Sequence, residues 1–211
     1  MRPADREIHP AWLSILMRPR ATIRVLADQG SLRHVILLAV LGGFAHTVLR
    51  SFVRRAGNLF TIRILLVLCA ATGVVLGMAG VFLGGLLFRW TGRWFGGRAS
   101  AREVRTALAW SAVPRVWALL LWVPLLVYFH GDLFRAKSLQ MGPHAPGEIV
   151  LKVVGVTQLV FGAWSLVICL LGIAEVHRFS LWRAVAAVLS GVSLIGLPLL
   201  LLMRYTGLLQ F

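Results

Sequence analysis

The chain has 211 residues, 59% of them hydrophobic, and a formal net charge of +15 from 22 Lys and Arg against 7 Asp and Glu. Soluble domains hold roughly 45–50% apolar residues, so the composition excludes an ordinary soluble domain, and a mean hydropathy of +0.84 agrees. The charge alone would suit nucleic acid. Here the arginines stand between long apolar runs, which makes anionic lipid headgroups the expected partner and excludes nucleic acid.

Residues 1–10 are polar, with Asp5 and Glu7 and no apolar stretch, so they do not read as a cleaved signal peptide. Residues 1–34 are expected to form a cytoplasmic, interfacial N-terminal segment. Trp12, Leu13, Ile15 and Leu16 lead into Arg18-Pro19-Arg20 and then Ile23, Val25 and Leu26, which places Trp and Arg at headgroup depth.

A hydrocarbon core of roughly 30 Å needs about 20 apolar residues as helix. Five stretches within residues 35–211 meet that need or nearly do: Val35 to Val53, Ile64 to Phe88, roughly Val113 to Phe129, Ile149 to Val176, and Leu181 to Met203. The expected fold is therefore all-α, a polytopic membrane bundle of five transmembrane helices with amphipathic interfacial segments. In the first span His46 and Arg50 are one turn apart, and His46 reads as a packing residue before a proton relay. In the second, Gly73, Gly77, Gly80 and Gly84 lie along one helix face. Small residues let backbones approach, and packing then replaces the missing hydrophobic drive in lipid. That seam is expected to serve packing within the chain first and a homodimer second. Cys69 and Cys169 sit inside apolar runs and read as packing thiols.

Residues 89–128 form the longest interruption between strongly apolar runs. Arg89, Trp90, Arg93 and Trp94 make a basic aromatic patch. Gly96 and Gly97 break the helix. Ser100 stands three residues before Glu103, the spacing of a capping box. Ala101, Val104, Leu108 and Ala112 follow at helical spacing, which predicts an amphipathic helix on the membrane surface leading through Pro114 into the third span. Trp90, Arg93, Trp94, Arg98, Arg102, Arg105, Trp110 and Pro114 are the expected interaction surface. Pro124 and Pro198 are expected to bend the third and fifth spans.

The loop after the third span holds His130, Asp132, His144 and Glu148, whose spacing matches no zinc signature. At the end of the fourth span Glu175 is expected to pair with Arg178 or with an arginine of residues 98–105. Glu175 and His177 are the only acid-base pair worth testing. There is no His-Glu-x-x-His, no Gly-x-Ser-x-Gly, no phosphate loop and no Cys-x-x-Cys, so no enzyme activity and no cofactor or metal are expected. Basic residues gather before the first span, between the second and third (Arg89 to Arg115), and between the fourth and fifth. That bias predicts a cytoplasmic N-terminus and a periplasmic C-terminus.

The stretches Arg93-Trp94-Phe95-Gly96-Gly97-Arg98-Ala99-Ser100 and Ala107-Leu108-Ala109-Trp110-Ser111-Ala112-Val113-Pro114 resemble bacterial members of the Yip1 domain family. The shared pattern is a Gly-Gly step, a short helix, and an aromatic-Ser-x-x-Pro element opening the next span. A weaker likeness runs from Trp164 to Trp182, with Gly172-Ile173-Ala174-Glu175, and on through Phe179-Ser180-Leu181-Trp182-Arg183-Ala184. The resemblance implies a bacterial inner-membrane protein with a scaffold or interaction role, binding lipids or an unknown protein partner. A small-solute transporter or channel is the alternative. Eukaryotic relatives are membrane-traffic proteins that associate with Rab GTPases; their acidic Asp-Leu-Tyr-Gly-Pro motif does not occur in this sequence.

Overall fold

The computed structural model describes residues 11–135 and 146–206, and every regular element among them is helical. Five helical stretches are long and apolar enough to cross a membrane: Leu32–Val53, Ile62–Trp94, Ala101–Phe129, Lys152–His177 and Leu181–Tyr205.

Two short helices come first, α1 (11–17) and α2 (Pro19–Gln29). Their Ile15, Ile23 and Leu26 share one buried cluster with Val104, Ala107 and Trp110 of α5 (Ala101–Trp110) and Ile168 of α8 (Pro146–His177). The segment is thus docked into the bundle by its apolar face, while Arg18, Arg20 and Arg24 stay exposed. Trp12 is no free anchor, because its ring packs edge-on to Trp110 at 5.9 Å.

The first two spans, α3 (Leu32–Val53) and α4 (Ile62–Trp94), form a tight hairpin. A side chain on Gly43 would overlap the Gly73 carbonyl, and one on Gly77 would overlap the carbonyl of Ala39. The Thr47 hydroxyl donates across the seam to the Cys69 carbonyl at 2.9 Å, and Ser51 Oγ lies 3.2 Å from Cys69 Sγ. Gly73 and Gly77 therefore pack within the chain. The other two glycines differ: Gly84 faces Leu108 of α5, and Gly80 faces open space. Cys69 and Cys169 are both free thiols.

The third span is built from three segments: α5, α6 (Val113–Ala118) and α7 (Trp122–Phe129), with a 3-10 turn at Leu119–Leu121. Pro114 and Pro124 each fall in the first turn of a segment, where no backbone donor is needed. The expectation that α5 lies on the membrane surface is corrected here. Val104, Thr106, Ala107, Ala109 and Trp110 are buried, and α5 packs against α2, α3, α4 and α8. An amphipathic pattern reads the same for a helix half-sunk in lipid and for one half-sunk in protein. α9 (Leu181–Tyr205) lies against α4 and α8 through Ala184, Ala187 and Gly191, with Pro198 in its interior.

Candidate functional site

The 33 residues of α4 span about 50 Å at 1.5 Å each, more than the roughly 30 Å of hydrocarbon. Its last turns carry Arg89 and Arg93, so it is this end, which also carries α1 and α2, that is expected to leave the apolar layer. There Trp90 and Trp94 are 52% and 53% exposed, with their rings edge to face at 4.8 Å. Arg93 and Arg98 are exposed beside them. Gly96 takes φ 82° and the Gly97 N–H closes back on the Gly92 carbonyl at 2.9 Å. The capping box then starts α5: the Glu103 N–H donates to Ser100 Oγ at 3.3 Å, and the Ser100 N–H donates to Glu103 Oε2 at 2.7 Å.

His177 explains the second glycine of the step, Gly97, and Gly92 before it. Its ring is 1% exposed and occupies the space that a side chain on Gly92 or Gly97 would need. Its Nδ1 accepts from the Ala99 N–H at 3.4 Å, and Phe179 stacks on its other side at 5.0 Å. The end of α8 thus clamps the connection between α4 and α5. Sequence spacing could not show this, since the partners are some eighty positions apart.

The other expected surface residues divide. Arg102 donates through Nη2 to the Gly30 carbonyl at 2.6 Å, tying α5 to the end of α2. Arg105 lies over the Phe82 ring at 4.7 Å. Trp110 is 1% exposed and Pro114 is buried, so neither is on a surface. Glu175 pairs with Arg24 of α2, whose Nε donates to Oε1 at 2.6 Å, and not with Arg178 or an arginine of α5. The reason is local: Arg178 takes φ 58° where α8 ends and leaves the helix face, while α2 crosses α8 at the level of Glu175. His177, two positions on, points elsewhere, so the acid-base pair is not assembled.

A second place was missed by the sequence reading. At mid-height, α3, α4, α8 and the junction of α5 with α6 line an open cavity of about 360 Å³. Its polar groups come from His46, Ser111, Arg115, Ser165 and Cys169. Arg115, placed by the sequence reading among the basic residues of a connection, stands near the middle of the Ala101–Phe129 span. The signal was present: once the Ser100 cap is taken as the start of the span, Arg115 falls halfway along it. An arginine at the centre of a transmembrane helix costs about 2.5–3.5 kcal/mol on insertion scales. Arg115 Nε is nonetheless buried without a hydrogen-bond partner, as is Ser165 Oγ. Ser111 is satisfied by the Leu108 carbonyl at 2.7 Å. Among the described residues no carboxylate pairs with Arg115: Glu175 holds Arg24, Glu103 holds its cap, and Asp132 holds Arg135.

Among the described residues no group of three or more His, Cys, Asp or Glu is placed to hold a metal. His144 and the side chain of Glu148 lie outside them. No curated protein and no solved structure matches the chain. A family model of the Yip1 domain matches residues 13–203. The chain is therefore an integral membrane protein with five apolar helices and belongs to the Yip1 domain family.

Proposed function

We propose that this is a non-enzymatic protein of the bacterial inner membrane. It organises its surroundings by gripping anionic lipid headgroups and a protein partner at the end of the bundle that carries α1 and α2. One observation carries this reading: the exposed Trp90–Trp94 pair, flanked by Arg93 and Arg98, sits on a helix that outruns the hydrocarbon. Trp at the interface and Arg among headgroups are each favourable there. The same end holds Arg18, Arg20, Arg24, Arg33, Arg178 and Arg183, which supports a cytoplasmic N-terminus and a periplasmic C-terminus. Gly73 and Gly77 are occupied by α3, so a homodimer through that seam is not part of the proposal.

The test is charge reversal at Arg93 and Arg98, leaving alone Arg102 and Arg105, which hold the fold. Protein is extracted with a lipid-retaining polymer, and co-extracted phosphatidylglycerol and proteins are counted by mass spectrometry. At roughly 1 kcal/mol per arginine, recovery falls about fivefold per site with helicity unchanged. Unchanged recovery rejects this surface. A second reading, a small-solute transporter or channel, draws on the cavity lined by His46. Solute flux in proteoliposomes that disappears in His46→Ala would place it first.

A further inference from the structure

We infer that the mid-membrane cavity is a binding site for an anionic amphiphile, with its phosphate or carboxylate oxygens seated against Arg115. The site is distinct from the basic aromatic end and does not depend on that reading.

Three observations converge. Arg115 is a permanent cation placed at the middle of its span, with Nε buried and unpaired and no described carboxylate beside it. Ser165, 4% exposed, turns an unpaired hydroxyl into the same cavity. His46 adds a further nitrogen donor at the rim. A guanidinium, a hydroxyl and an imidazole make a donor-rich set that matches the several lone pairs of a phosphate or carboxylate. In a low-dielectric setting the unpaired Arg115 Nε and Ser165 Oγ are costly, and an anion satisfies both in one step.

The shape of the cavity points to a ligand from the membrane. α4 packs on α3, α5 and α9, while α8 packs on α2, α5, α6 and α9. On the cavity wall Gly80 of α4 and Gly162 of α8 both face open space, with no atom within 4 Å of where a side chain would begin. The mouth is therefore a gap between two membrane-spanning helices, and what meets it is lipid. An amphiphile can place its charged head at Arg115 and leave its chain in the hydrocarbon. A water-borne anion has no such continuity.

The test uses the full chain in nanodiscs of phosphatidylcholine with a minor fraction of phosphatidylglycerol. Native mass spectrometry after release counts the phosphatidylglycerol that stays bound, with and without millimolar inorganic phosphate. We expect one tightly held phosphatidylglycerol, insensitive to phosphate. Its retention falls about tenfold in Arg115→Leu, the scale of one lost charge-assisted hydrogen bond. Arg115→Lys keeps the charge and retains part of the binding. Gly80→Leu blocks the mouth without touching the charge and lowers retention as well, which keeps the test valid should Arg115→Leu fail to fold. Arg93→Gln with Arg98→Gln leaves the bound lipid in place. Equal retention in wild type, Arg115→Leu and Gly80→Leu overturns the proposal. So does displacement by inorganic phosphate, which would assign the site to a free anion.

Discussion

Gly77 and Gly80 stand one helical turn apart on α4 and meet opposite surroundings. Gly77 is pressed against the backbone of α3, so closely that an added side chain would overlap the Ala39 carbonyl. Gly80 looks into the gap toward α8, where nothing lies within 4 Å. One glycine brings two helices together and the other borders a gap between two. A small residue in a membrane helix therefore specifies room, and what fills the room is decided by the facing element. Around the first glycine it is backbone. Around the second it is a polar cavity beside Arg115.

The contrast can be broken most sharply by adding the same bulk to both glycines. Gly77→Leu should separate the α3–α4 hairpin and cost about 3 kcal/mol, at the upper end for overpacking, as read by unfolding in mixed micelles. Gly80→Leu should cost less than about 1 kcal/mol, because no backbone must move. Equal losses would remove the distinction. Next comes His177→Ala, which takes the ring from between Gly92, Gly97 and Phe179. About 2 kcal/mol should be lost, a normal value for a buried side chain removed from a packed site, seen as earlier thermal unfolding. A loss no larger than that of a surface residue would show that the clamp is idle.

Arg115→Leu should act in the other direction. Replacing a half-buried charge whose Nε is buried and unpaired by an apolar side chain should raise stability on the order of 1 kcal/mol, measured by the same unfolding assay in phosphatidylcholine alone. A loss instead would mean that Arg115 has a structural partner. The smallest effect is expected for Arg24→Ala. Its side chain is 71% exposed against 14% for Glu175, and an ion pair open to solvent on one side contributes about 1 kcal/mol or less. A larger loss would make the α2–α8 contact a principal support of the N-terminal helices.

The five spans were legible because length and continuous apolarity are properties of a single segment. So was the Ser100–Glu103 cap, which closes within four residues. The half of the glycine seam at Gly73 and Gly77 was legible as packing, although the sequence could not say that Gly80 would lack a neighbour. What failed depends on which second element a residue meets. Trp110 reads as an interfacial anchor and is core, because Trp12 of α1 and His34 of α3 pack against its ring. Glu175 is expected to pair with Arg178 or an arginine of residues 98–105 and instead pairs with Arg24, 151 positions away. Arg115 counts with the basic residues of a connection because a span begun at Val113, and not at the Ser100 cap, leaves it only two residues inside the span's end. Moving that one boundary turns a routine surface charge into an unpaired charge within the membrane.

The most direct measurement is a cryo-electron-microscopy map of the chain in phosphatidylglycerol-containing nanodiscs, enlarged by a bound antibody fragment. We predict a closed α3–α4 seam at Gly43 and Gly77, an open gap between Gly80 and Gly162, and lipid headgroup density against the Arg115 guanidinium. A map in which α4 closes onto α8, with Arg115 turned outward and no density beside it, would contradict the account.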